Sequence, residues 1–135
     1  MSDIRTDDVA AIQAVLTDSY KAWAEGDAEG MVAGYTADAT AIMTGSLRDG
    51  REVIRQQMAQ GFAGPLKGSS TYNKQLSIRF VGRDGAIVIS ESGILFAGES
   101  GIPEDGRKVN ATWVLEKRDG RWLIAAYHNS PVLAQ

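Results

Sequence analysis

Proton transfer near neutral pH calls for an imidazole or a perturbed carboxyl, and this chain holds a single histidine, His128. It stands in Gly120-Arg-Trp-Leu-Ile-Ala-Ala-Tyr-His-Asn-Ser-Pro131, two residues before Ser130. Alternate side chains of an extended strand share a face. Trp122, Ile124, Ala126, His128 and Ser130 are therefore expected on one side, with Leu123, Ala125, Tyr127 and Asn129 on the other. A row that begins apolar and ends in a polar pair describes a strand running from core to pocket wall. There His128 would donate or accept a proton; the plainer alternative is a strand-end histidine that ties down the C-terminal segment or a dimer edge. Ser130, followed by Pro131, lacks the strained elbow and partners of a nucleophile and reads as a hydrogen-bonding group.

Glu91 is the second candidate. It lies between Ser90 and Ser92 at the centre of a predicted strand, and strict alternation puts Ile87, Ile89 and Leu95 on its side. If that face turns inward, desolvation would raise its pKa and make it a base beside His128. The alternative is a solvent-facing acid paired across strands. Tyr20, Trp23 and Tyr35 fall on or beside one helical face, and Trp113 shares a strand face with Val109, Ala111 and Leu115. With Met43, Met58 and Phe62 they would wall a site for a flat, conjugated, apolar ligand, or else serve as ordinary core. Asn110 and Thr112 share the other face of that strand, where they meet either ligand or the outer surface. One histidine, no cysteine and scattered acids give no metal-ligand spacing, so no metal is expected.

The elements that position these residues fall into a helical front and a strand-rich back. Val9, Ile12, Leu16, Tyr20 and Trp23 recur at helical spacing and predict a helix from about Thr6 to Glu25. Asp27 is a suitable N-cap for a short second helix through Met31 and Tyr35. A short strand, Ala39-Thr-Ala-Ile-Met-Thr-Gly45, follows Asp38. Asp49-Gly-Arg-Glu52 then resembles a capping box opening a third helix with Ile54, Met58 and Phe62 inward. Beyond the glycine- and serine-rich stretch from Gly61 to Ser70, strands are predicted at Thr71–Val81, Ala86–Ala97 and Lys108–Lys117, before the terminal one. Gly82-Arg-Asp-Gly85 and Arg118-Asp-Gly120 carry hairpin-turn chemistry, and Glu99–Gly106 reads as a longer, mobile hairpin loop. Helices followed by an antiparallel meander predict an α+β domain spanning residues 1–135, with three N-terminal helices on one face of a curved sheet.

The chain has 135 residues, a net charge of −3 and no basic stripe, which argues against nucleic acid or an anionic membrane surface as partner. Its longest apolar runs fall far short of the ~20 residues that cross a bilayer. The polar start, Met1-Ser-Asp-Ile-Arg-Thr-Asp-Asp, is unlike a secretory signal, so a cytoplasmic location is expected.

Several stretches together resemble the nuclear-transport-factor-2-like superfamily, in its SnoaL-like branch and most particularly the SgcJ/EcaC group. They are Ala22-Trp23-Ala-Glu-Gly26-Asp27, Tyr35-Thr-Ala-Asp38-Ala39, Asp49-Gly50-Arg51-Glu52 with Ile54, Thr112-Trp113-Val114-Leu115, and the terminal Gly120–Pro131 segment. The resemblance implies a cone-shaped α+β fold with an open, cofactor-free pocket for an apolar polyketide- or polyene-like molecule. It implies a homodimer through the outer sheet face and a link to enediyne antibiotic biosynthesis. Relatives include isomerases, hydratases, cyclases and plain binders. Ketosteroid-isomerase-like and cyclase-like members use a buried aspartate as base; no aspartate is predicted mid-strand here, and Glu91 is the only acid so placed. The expected function is a pocket protein that binds such an intermediate and assists its folding, cyclisation or proton transfer. The alternatives are a cofactor-free isomerase or hydratase, and a non-catalytic partner of a polyketide synthase.

Overall fold

The computed structural model describes residues 5–133. Helix α1, Thr6–Ala24, buries Ile12, Leu16, Ser19 and Ala22, one stripe at three- and four-residue steps. Asp7 and Asp8 in its first turn and Lys21 in its last complement the helix dipole. Asp27 caps α2, Ala28–Val32, its carboxylate accepting the Gly30 N–H at 2.9 Å. Helix α3, Arg51–Phe62, buries Ile54, Met58 and Phe62.

The start of α3 differs from the expected capping box. Asp49 ends a strand, Gly50 is the N-cap without a side-chain bond, and Glu52 pairs with Arg55. Gly50 has φ 110°, a conformation that favours glycine, and this turns the strand directly into the helix.

Six strands form one sheet: β1 Tyr35–Met43, β2 Ser46–Asp49, β3 Ser70–Val81, β4 Gly85–Leu95, β5 Val109–Arg118 and β6 Arg121–Pro131. Their order is β2-β1-β6-β5-β4-β3. The predicted meander β3 to β6 is antiparallel throughout, β2 pairs antiparallel with β1, and β1 runs parallel to β6. Strand β2 was not anticipated, and β1 starts early enough to take Tyr35 from α2. It also takes in Asp38, which is thus an aspartate inside a strand; its side chain is 78% exposed and lies 3.6 Å from Arg118. Asp119 and Gly120 both have positive φ, as the β5–β6 hairpin turn requires.

The three helices pack on the inner face of this open, curved sheet. Ile12, Leu16 and Ile54 meet Val88, Leu115 and Ile124 in the core. Trp122 joins them, with its indole N–H donated to Asp8 at 2.9 Å.

One irregularity decides the site. Leu115 faces Ile124 and Val114 faces Ala126, which leaves Ala125 as an extra residue in β6. Such a bulge breaks the alternation of faces. Trp122 and Ile124 point into the core before it, while after it Tyr127 and Asn129 take the inner face. Ala126, His128 and Ser130 are carried to the outer one. The unbroken alternation predicted for this strand is corrected accordingly.

Candidate functional site

Between the helices and the inner sheet face lies a cavity of about 390 Å³. Helix α1 contributes Ser19, Tyr20 and Trp23, and α3 contributes Ile54 and Met58. Strands β1 and β2 add Tyr35, Ala41, Met43 and Arg48; β5 and β6 add Val109, Trp113, Tyr127 and Asn129. Of the residues anticipated from sequence, Tyr20, Trp23, Tyr35, Met43, Met58 and Trp113 stand in this wall. Phe62 does not; it packs edge-on to Trp23 with ring centroids 5.6 Å apart. Tyr20, Trp113 and Tyr127 form a continuous aromatic wall, with centroids 6.0 Å and 4.4 Å apart along it.

The acid–base candidates are not brought together in the cavity. His128 is exposed on the outer face between Thr112 of β5 and Ile42 of β1. Asn110 and Ser130 face each other on the same side, and both are exposed. Glu91 is also outward, accepting a hydrogen bond from the Tyr72 hydroxyl at 3.1 Å and lying 3.6 Å from Lys108 Nζ. The expectation that His128, Ser130 and Glu91 reach the pocket is corrected, and of the two places left open for Asn110, ligand contact is corrected to the outer surface. For His128 and Ser130 the reason is the Ala125 bulge. For Glu91 it is that β4 is apolar on both faces: Val88 is buried inward while Ile87 and Ile89 lie half-buried outward. Asn110 follows the simple alternation of β5, opposite to Ala111 and Trp113.

Sequence reasoning missed the polar groups that do line the cavity. Asn129 Nδ2 donates to the Tyr127 hydroxyl at 2.8 Å. Across the cavity, the Ser92 hydroxyl donates to Asn73 Oδ1 at 3.1 Å, and Asn73 Nδ2 donates to Thr71 at 2.8 Å. Trp23 donates its indole N–H to Ser69 at 2.9 Å. Burial pushes the Tyr20, Tyr35 and Tyr127 hydroxyls above their ordinary pKa, so all three remain protonated donors. Burial pulls the Arg48 guanidinium down, opposed by Tyr35, yet an arginine stays charged. Among the described residues that line the cavity there is no carboxylate and no imidazole. The site can therefore hold, orient and donate hydrogen bonds, but offers no ordinary general base.

Gly93, Ile94 and Arg107 line the cavity beside the connection from β4 to β5. Across the stretch Glu99–Gly106, read from sequence as a mobile hairpin loop, Arg107 pairs with Glu99 at 2.8 Å and Glu99 accepts the Phe96 N–H at 2.7 Å. No group of three or more potential metal ligands occurs among the described residues. No described helix is long and apolar enough to cross a membrane.

The sequence profile of the SnoaL-like domain family matches residues 12–134. A search of curated proteins found no match. Among solved structures, a domain of unknown function with a cystatin-like fold from Nostoc punctiforme is 26% identical. It superposes with a TM-score of 0.86 over 96% of this chain and 80% of that one. A nuclear-transport-factor-2-like protein from Novosphingobium aromaticivorans is 16% identical, with a TM-score of 0.83 over 99% of this chain and 88% of its own. A second protein from that organism, provisionally named a scytalone dehydratase, is 18% identical, with a TM-score of 0.78 over 98% and 89%.

Proposed function

The chain belongs to the SnoaL-like domain family, and from that premise we propose that its cavity receives an elongated, mainly apolar small molecule. The ligand would be a polyene or polyketide intermediate of natural-product biosynthesis, of the enediyne-antibiotic type seen in the SgcJ/EcaC resemblance. The observation that carries this reading is the cavity itself, whose volume of about 390 Å³ suits a small-molecule site. Its walls are the rings of Tyr20, Trp23, Tyr35 and Trp113 and the thioethers of Met43 and Met58, with polar groups confined to a few points. A flexible chain pressed against such walls loses most of its conformers, and that positioning would promote cyclisation or proton shift within it. In this reading the protein works in the cytoplasm without a cofactor, as a homodimer through the outer sheet face that bears Ile42, Ile87 and Ile89.

An isomerase or hydratase with its own general base is a weaker reading. The fold likeness to the protein provisionally named a scytalone dehydratase favours it, while the lack of a carboxylate or imidazole among the described lining residues weighs against it. Docking on a polyketide synthase would instead use the outer face, where Ile42 is 43% and Leu47 64% exposed.

The test is a titration of intrinsic tryptophan fluorescence with methyl parinarate, a neutral conjugated tetraene. Trp23 and Trp113 line the cavity and should be quenched saturably. A folded protein showing no saturable response would refute the reading for this ligand class.

A further inference from the structure

Strand β2 is built the wrong way round for its own stability. Its register sets Leu47 opposite Ile42 and Arg48 opposite Ala41. The leucine is thereby turned to solvent at 64% exposure, while the arginine shares the inner face with Ala41, which is 5% exposed. The guanidinium that results has no counter-charge. Arg5, Arg55, Arg107 and Arg118 each pair with an acid, but no described carboxylate forms an ion pair with Arg48. Its Nη1 rests 3.2 Å from the Met58 sulfur, a weak acceptor, and its Nε is buried without any partner. Arg48 as a whole is half-buried, and a charge drawn that far from solvent is ordinarily paired.

The sheet supplies the rest of a site. Ala41 has Arg48 on one side and Tyr127 on the other, and Tyr127 in turn faces Trp113. One rung of the sheet thus reads guanidinium, methyl, phenol, indole, and all four residues line the cavity. The small Ala41 side chain leaves room between the two polar neighbours. Tyr127 already accepts from Asn129, so its own O–H is left to donate to a second group.

We propose, building on the pocket reading above, that the ligand is an apolar carboxylic acid. Its carboxylate lies over Ala41, between the Arg48 guanidinium and the Tyr127 hydroxyl, and its apolar body runs along Trp113 toward the Thr71, Asn73 and Ser92 side. A guanidinium fork matches a carboxylate in plane and spacing, which sets an acid apart from a ligand of equal size bearing only a neutral carbonyl. The competing explanation is that an inward charge on an edge strand merely deters pairing with other chains. That role predicts no preference for charge in the ligand.

The experiment compares parinaric acid with methyl parinarate on the full chain at pH 7, where a carboxyl with a pKa of about 4–5 is ionised. The acid is expected to bind about ten- to a hundredfold more tightly, the range of a charge-assisted hydrogen-bonded pair. In Arg48→Met the preference should vanish while the ester keeps its affinity. Equal binding of acid and ester to the native chain, or a preference that survives Arg48→Met, overturns the proposal but leaves the pocket standing. Binding of neither compound refutes the pocket reading for this ligand class, and the proposal with it. The acid–ester comparison is made on the unaltered chain, so a poorly folding variant does not remove the test.

Discussion

Asp8 is the joint between α1 and the sheet, and its removal should be felt at once. Its Oδ1 accepts from the Trp122 indole N–H at 2.9 Å and from Lys117 Nζ at 3.2 Å, with Arg5 Nε 3.5 Å away from Oδ2. Trp122 is only 4% exposed, so Asp8→Ala would leave a buried N–H without a partner, at a cost of about 1–3 kcal/mol. The two cationic contacts are partly exposed and add at most about 1 kcal/mol between them. The expected loss is roughly 2–3 kcal/mol, or a fall in Tm of about 6–15 °C for a domain of this size. Asp8→Asn keeps an acceptor for the indole and should lose only about 1 kcal/mol. Urea unfolding followed by tryptophan fluorescence measures both. The Trp122 hydrogen bond, seconded by Lys117, holds the Asp8 carboxyl below its ordinary 3.8. Its contribution is thus present above the unfolded value and is lost as pH falls through the lower folded one. The acid limb of stability should be shallower in Asp8→Asn. An Asp8→Ala protein as stable as the native one, or no more affected than Asp8→Asn, would refute the reasoning.

Three further outcomes are expected. Tyr127→Phe removes a donor beside Arg48 and should weaken parinaric acid about tenfold with the ester unchanged, read by the same fluorescence titration. His128→Ala should leave affinity for both compounds unaltered, because the imidazole is on the outer face; a clear loss of affinity would mean that the outer face communicates with the cavity. In Gly93→Ala the new Cβ would stand 2.7 Å from Pro103 Cγ and 3.2 Å from the Arg107 carbonyl, displacing the loop that packs against the cavity wall. Its cost should be about 1–3 kcal/mol in urea unfolding, with faster ligand release in stopped-flow displacement.

Where the sequence was read well, one physical signal dominated. The stripes of α1 and α3, the Asp27 cap and the Asp-Gly turns each obey a local rule, and each stands where expected within a residue or two. Misreadings came where local rules are silent. Nothing in Ile124-Ala125-Ala126 announces that one alanine will be left unpaired, yet that single residue exchanges His128 for Tyr127 at the cavity. Strand β4 presents isoleucine or valine on both faces, so alternation alone could not orient Glu91. Strand β2 was hidden because its four residues turn a charge inward and expose a leucine, the reverse of the usual pattern. The aromatic and thioether walls were legible because large apolar side chains must be enclosed somewhere. The donors between them were not, because their place depends on register.

The parallel pairing of β1 with β6 also divides the sheet into local and long-range contacts. Tyr35 and Ile124 are neighbours in the sheet although about two thirds of the chain separates them. Strands β3 to β5 can zip up hairpin by hairpin. Strand β1, with β2 on its far side, joins that meander only through β6. Closing so long a loop is slow relative to local pairing. Tyr127 and Asn129 sit on β6 itself, so one strand both joins the two halves of the sheet and completes the cavity wall.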